Sequence, residues 1–162
     1  MAPKKGAKKQ AEEPEEPPAP LVGKFYYKTG ATYEGEYAYK PKLDESGQPI
    51  PPADGEPPPP KIRQGKGEYV EPGGNTYNGE WKDDKCHGKG IFKFVSGATY
   101  EGDWIENKYH GRGTYTFPDG SKYEGELENN AFHGQGVYTD KEGHQWSGHF
   151  FNGSGPGLVN LL

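Results

Sequence analysis

Apolar and polar residues alternate along the second half of the chain. Tyr100, Gly102 and Trp104 alternate with Glu101 and Asp103, and Gly113, Tyr115 and Phe117 alternate with Arg112, Thr114 and Thr116. A period of two residues predicts strands with one apolar and one polar face. Ile105 to His110 contains the turn between the two runs, so the segment predicts a β-hairpin. Pro118-Asp119-Gly120 is a turn signal leading into the next unit. The pattern repeats every 23 residues: His-Gly-x-Gly recurs at His87, His110 and His133, and aromatic-x-Gly at Tyr77, Tyr100, Tyr123 and Trp146. A fixed period of this size marks a repeat array, in which each unit buries its apolar face only against its neighbours.

The same pattern extends upstream with one interruption. Tyr33-Glu34-Gly35-Glu36-Tyr37 opens a unit that Gly65-Lys66-Gly67-Glu68-Tyr69 closes, and Tyr33 to Tyr77 is 44 residues, one period plus 21. The reading is a leading half-repeat from Gly23, four repeats beginning at Tyr33, Tyr77, Tyr100 and Tyr123, and a closing half-repeat at Trp146. Proline marks the rest. Five prolines fall in residues 1–20 and eight in about 38–63, leaving three elsewhere. Residues 1–20, rich in Lys, Glu and Pro, are expected to form a flexible arm. The insertion at about 38–63 contains Pro57-Pro58-Pro59-Pro60, which favours polyproline II. The array is expected over 21–153, and 154–162 forms an apolar tail.

Composition decides what kind of core is available. Hydrophobic residues make up only 30% of the chain, while aromatics reach 14% and glycines number 26. A leucine-type core cannot be built from this, but aromatic rings packed over glycines on neighbouring strands can. A glycine weakens a strand by itself; here it leaves room for a ring. On the polar face Lys66 is expected to meet Glu36, Lys89 to meet Glu80 and Arg112 to meet Asp103 within each hairpin.

The formal charge of −5 argues against nucleic acid as the partner, since phosphate binding needs clustered Lys and Arg. The single cysteine, Cys86, fits a reducing compartment. No apolar stretch follows the N-terminus, so no signal peptide is expected, and no run approaches a membrane span. These features together point to the cytoplasm.

Chemical readings of the repeat residues are weak. His87, His110 and His133 fall two strands apart, about 10 Å, too far to share a metal ion whose ligands lie about 2.1 Å away. Each histidine is expected to act within its own hairpin. The Gly-x-Gly pairs never extend to a phosphate-binding loop, and Cys86 is expected to be a partly buried, inert thiol. No catalytic residue, metal ligand or cofactor site is assigned.

Tyr-x-Gly-x-Trp followed by His-Gly-x-Gly-x-Tyr/Phe resembles the MORN (membrane occupation and recognition nexus) repeat over about residues 23–150. The stretch from Gly136 to Phe150 is further similar to small axonemal members of that family. The resemblance implies an all-β fold: an elongated, twisted, single-layer antiparallel sheet of consecutive hairpins. It implies a non-enzymatic structural scaffold for protein–protein interaction, part of a large hetero-complex of the cytoskeleton in the axoneme of a cilium or flagellum, such as a radial spoke or the central apparatus. Its partners would be other axonemal proteins, bound as an extended segment or helix. The alternative it implies is a membrane-phosphoinositide adaptor. The alternating charges speak against that, because lipid headgroups attract clusters of four to eight basic residues.

The expected partner-binding groove is the aromatic and glycine face: Tyr77, Trp81, Phe92, Tyr100, Trp104, Tyr115, Tyr123, Tyr138 and Trp146. The tail, with Leu158, Val159, Leu161 and Leu162, is either a cap on the last hairpin or a docking peptide for a neighbour.

Overall fold

A computed structural model of the chain describes residues 19–161. The expected arm lies outside the described residues except for positions 19 and 20, and so does Leu162 of the tail. The fold is all-β. Its first strands are β1 (Leu21–Tyr26), β2 (Thr32–Tyr39), β3 (Lys42–Leu43), β4 (Pro49–Ile50) and β5 (Lys61–Val70). Next come β6 (Thr76–Lys82), β7 (Lys85–Lys93), β8 (Thr99–Ile105) and β9 (Lys108–Thr116). The last are β10 (Lys122–Glu128), β11 (Ala131–Thr139), β12 (Gln145–Phe150) and β13 (Val159–Leu161). Eleven of them form one antiparallel sheet in the order β1-β2-β5-β6-β7-β8-β9-β10-β11-β12-β13, while β3 and β4 pair apart as a short ribbon.

Register follows from the repeat. Gly23, Gly35, Gly67, Gly79, Gly90, Gly102, Gly113, Gly125, Gly136 and Gly148 stand opposite one another on successive strands, forming one glycine row across the sheet. A parallel row of rings runs from Phe25 through Tyr33, Tyr69, Tyr77, Phe92, Tyr100, Tyr115, Tyr123 and Tyr138 to Trp146. A slip of one residue would turn every ring to the polar face, so the register is strongly specified.

Each regular hairpin turns on two residues with positive φ: Asp83-Asp84, Glu106-Asn107 and Asn129-Asn130. Left-handed conformation at both central positions is the primed turn whose twist matches paired strands, and Asn and Asp tolerate it best among residues with a side chain. The second turn residue also clasps the preceding hairpin. The Asn107 amide donates to the Cys86 carbonyl (3.0 Å), and its Oδ1 accepts from the Cys86 amide (2.8 Å). Asn130 and Tyr109 repeat this geometry, as do Asp84 and Arg63.

The His-Gly-x-Gly motif is a bulge. Gly102 stands opposite Gly113, but Asp103 stands opposite His110, so Gly111 and Arg112 bulge out of the ladder. Gly111 occupies the left-handed region at φ 63°, where a side chain is strained. This bulge corrects the expected polar pairing. Within each hairpin the carboxylate turns onto the bulge backbone: Asp103 Oδ2 accepts from the Arg112 amide at 3.0 Å, and Glu36 Oε2 from the Lys66 amide at 3.2 Å. The cationic side chains reach the following unit instead. Lys89 pairs with Asp103 at 2.6 Å, and the Arg112 guanidinium lies 3.9 Å from Glu126. Lys66 stands opposite Glu80.

The proline-rich excursion interrupts the first hairpin without breaking it. Tyr37, Ala38 and Tyr39 pair with Arg63, Ile62 and Lys61, so the chain leaves the sheet only between positions 40 and 60. The Lys40 amide donates to the Pro60 carbonyl (2.8 Å) and closes the neck. The excursion carries the β3–β4 ribbon and a Lys42–Glu56 ion pair.

Candidate protein-interaction surface

The aromatic face is built by the first strand of each hairpin. A Cβ placed on Gly113 would lie 2.6 Å from Cε2 and from the hydroxyl of Tyr100, and Gly67, Gly90 and Gly136 meet Tyr33, Tyr77 and Tyr123 in the same way. These four tyrosines are the largest fully buried side chains among the described residues. Their hydroxyls donate to the carbonyl three residues ahead: Tyr77 to Glu80 (2.8 Å), Tyr100 to Asp103 (2.8 Å) and Tyr123 to Glu126 (2.7 Å), with Tyr33 bonding Glu36 likewise. Burial pushes the Tyr33 and Tyr123 phenols up to about 12, and the Tyr77, Tyr100 and Tyr109 phenols in the same direction.

The next unit closes over each ring. The Trp104 indole packs edge-on against Tyr77 with centroids 4.9 Å apart, and its Nε1 donates to the Gly90 carbonyl at 3.1 Å. Trp81 bonds the Gly67 carbonyl in the same way, and Leu127 and Phe150 occupy the corresponding core positions further along. Edge-to-face pairs of this kind add about 0.5–1.5 kcal/mol beyond the area they bury.

The expected groove therefore divides into two classes. Tyr77, Trp81, Tyr100, Trp104 and Tyr123 are buried, and they form the core of the sheet rather than a surface a partner can touch. Phe92, Tyr115, Tyr138 and Trp146 keep partial exposure. They come from second strands or the closing half-unit. With Phe94, Phe117 and Phe132, which the expected groove did not include, they form a chain of ring contacts along one margin of the sheet.

The opposite face carries a trough of about 940 Å³ that spans β7 to β12. The glycine row from Gly90 to Gly136 forms its floor. Ile91, Thr114 and Val137 give it apolar walls, and Lys89, Glu101, Arg112 and Glu124 supply both signs of charge. Sequence reasoning missed this surface. The available signal was the apolar residue after the second glycine, Ile91 and Val137, on a face otherwise polar.

The remaining candidates are local. His133 lies 3.6 Å from Glu128 and packs near Phe151. Burial pushes the Cys86 thiol up to about 12, far from a nucleophilic thiolate. Asp140, Glu142 and His144 gather on one exposed loop, where Asp140 accepts from the His144 amide at 2.9 Å and pairs with its ring at 2.9 Å, bracing the loop. In the tail, Leu158 packs against the core beside Gly148, and β13 pairs with β12, while Val159 and Leu161 remain exposed.

The sequence model of the MORN repeat matches residues 77–99, 100–122 and 123–145. The match makes three consecutive MORN repeats of residues 77–145. The matched units begin at Tyr77, Tyr100 and Tyr123, the rings that cover glycines, so the repeat phase is the phase of core packing. Tyr33 over Gly67 shows the same ring-over-glycine contact in the interrupted hairpin upstream of the matched residues. MORN repeats suggest a non-catalytic role in protein interaction or membrane binding. No curated protein sequence matches the chain. Among the described residues, no helix is long and apolar enough to cross a membrane.

Proposed function

We propose that this chain is a non-catalytic scaffold that holds another polypeptide in the trough of its MORN sheet, as a subunit of an axonemal complex. One observation carries the binding reading: a trough of about 940 Å³ with a glycine floor crosses six adjacent strands. Bare backbone under apolar walls admits a helix or an extended segment closely, as groove-binding modes require. The aromatic face serves a different purpose, since its largest rings are spent on the core. The axonemal placement, in a radial spoke or the central apparatus of a cilium or flagellum, is supported by the resemblance of Gly136 to Phe150 to small axonemal members of the family.

The phosphoinositide-adaptor reading finds less support. Lys89 and Arg112 at the trough lie beside Asp103 and Glu126, and Glu101 and Glu124 line the same surface. A mixed surface of this kind lacks the basic cluster that anionic lipid attracts.

Thr114→Trp, which fills the trough, separates the readings. In a ciliated cell, proximity labelling by the native chain is expected to mark axonemal structural proteins, and the Thr114→Trp chain is expected to lose those marks while keeping its circular dichroism. Labelling confined to membrane proteins, together with salt-sensitive binding of the native chain to phosphoinositide vesicles, would replace the scaffold by the adaptor. Unchanged axonemal labelling by a folded Thr114→Trp chain would remove the trough.

A further inference from the structure

We infer that β1 is a pairing edge for a second copy of this chain, with Gly23 of one copy facing Gly23 of the other across a two-fold axis. Among the described residues no strand covers the outer side of β1. The strand is six residues long, Leu-Val-Gly-Lys-Phe-Tyr, and it pairs with β2 without a register shift. Sheet edges are normally guarded by charge, proline, a bulge or brevity. β1 has no proline and no bulge within its six residues. Its one charge, Lys24, pairs with Glu34 of the neighbouring β2 at 2.8 Å. Leu21, Val22 and Tyr26 are 47%, 68% and 74% exposed. The other end of the sheet differs: β13 is only three residues long.

The choice of a second copy follows from register and charge. Every strand junction from β1 to β12 sets glycine against glycine in one row. An antiparallel β1–β1 pair with Gly23 on the axis continues that row. Leu21 and Phe25 lie on the aromatic face, opposite each other across the axis, so apolar residue meets apolar residue. Val22 and Lys24 lie on the polar face, and each Lys24 meets a Val22 rather than a like charge. A shift of two residues toward Lys24 would set the two lysines directly opposite, which is unfavourable. The same surface patch serves both copies, so the contact closes at two chains.

Sedimentation velocity of the full chain over a wide concentration range tests the inference. The expected result is a monomer–dimer equilibrium, with hydrogen-exchange protection of the β1 amides rising with concentration. Two variants at exposed Val22 test the register. Val22→Lys places lysine opposite Lys24 twice and is expected to weaken the dimer about tenfold. Val22→Glu places glutamate opposite Lys24 of the other copy and, although it also faces Glu36 of its own chain, is expected to lose clearly less dimer than Val22→Lys. Both variants change hydrophobicity in the same direction, so general stickiness would lower both alike. A native chain that stays monomeric throughout, as when its own residues 1–18 cover the edge, would overturn the inference. So would growth beyond two chains, or an equal loss in both variants.

Discussion

The ring of Tyr100 on β8 lies over Gly113 on β9, and its hydroxyl bonds the Asp103 carbonyl at 2.8 Å. One side chain thus ties three positions of a hairpin: the strand that carries it, the glycine beneath it and the start of the bulge. The same contact recurs at Tyr33, Tyr77 and Tyr123, and it converts a glycine-rich sequence into a packed sheet.

Gly113→Ala places a methyl group 2.6 Å from the Tyr100 ring and is expected to destabilise the array by about 1–3 kcal/mol through overpacking. Gly73→Ala is the control, because a Cβ there meets nothing within 4 Å and its φ is not positive. Urea unfolding should show a lowered midpoint for the first variant and little change for the second. Equal effects would deny the ring-over-glycine contact.

Asn107→Ala removes both a residue suited to φ 67° and the 2.8 Å acceptor for the Cys86 amide. Asn107→Gly removes only the acceptor, because glycine enters the left-handed region freely. Alanine is expected to lower stability more than glycine, by about 1 kcal/mol. Both variants should speed hydrogen exchange at the Cys86 amide. Unchanged exchange in both would show that the clasp between hairpins contributes nothing.

Alkaline pH should loosen the array. A phenol titrates near 10 in an unfolded chain, but burial raises Tyr33 and Tyr123 to about 12. Between these values the folded state binds more protons than the unfolded state, so stability falls as pH rises. The contribution is fully present below about pH 10 and is lost toward about pH 12. Denaturant midpoints at pH 9 and pH 11, read beside phenolate absorbance, check this. A flat profile would contradict it.

Cys86 should resist thiol reagents in the native state, because its side chain is buried and its pKa is pushed up to about 12. Labelling at pH 8 is expected to be slow and to accelerate in denaturant in step with unfolding. Fast native labelling would show that the β6–β7 hairpin opens.

Much of this architecture was legible in the linear pattern. Period-two alternation specified strands, the 23-residue spacing specified hairpins in series, and the aromatic–glycine alternation specified rings packed over glycines of neighbouring strands, which the structure realises as Tyr100 over Gly113. The legible part is local, because each hairpin contacts only its neighbours and the repeat copies one solution along the chain. The candidate site was legible only in part. Alternation assigns a residue to a face, but it does not say which rings the next unit will cover. Trp104 and Tyr115 lie on the same face, yet Trp104 is buried with its Nε1 on the Gly90 carbonyl while Tyr115 keeps partial exposure.

The sequence by itself determined the strands of the repeat hairpins, their order and the placing of rings and glycines on one face, because side-chain period and glycine placement act over a few residues. Only the tertiary structure decided which surfaces remain for a partner. The bulge at Gly111 redirects Asp103 onto the backbone and sends Arg112 toward Glu126. The glycine floor is left open on the reverse face. The first two contacts depend on the backbone geometry of the bulge and the trough on six strands laid side by side, and no alternation pattern encodes either.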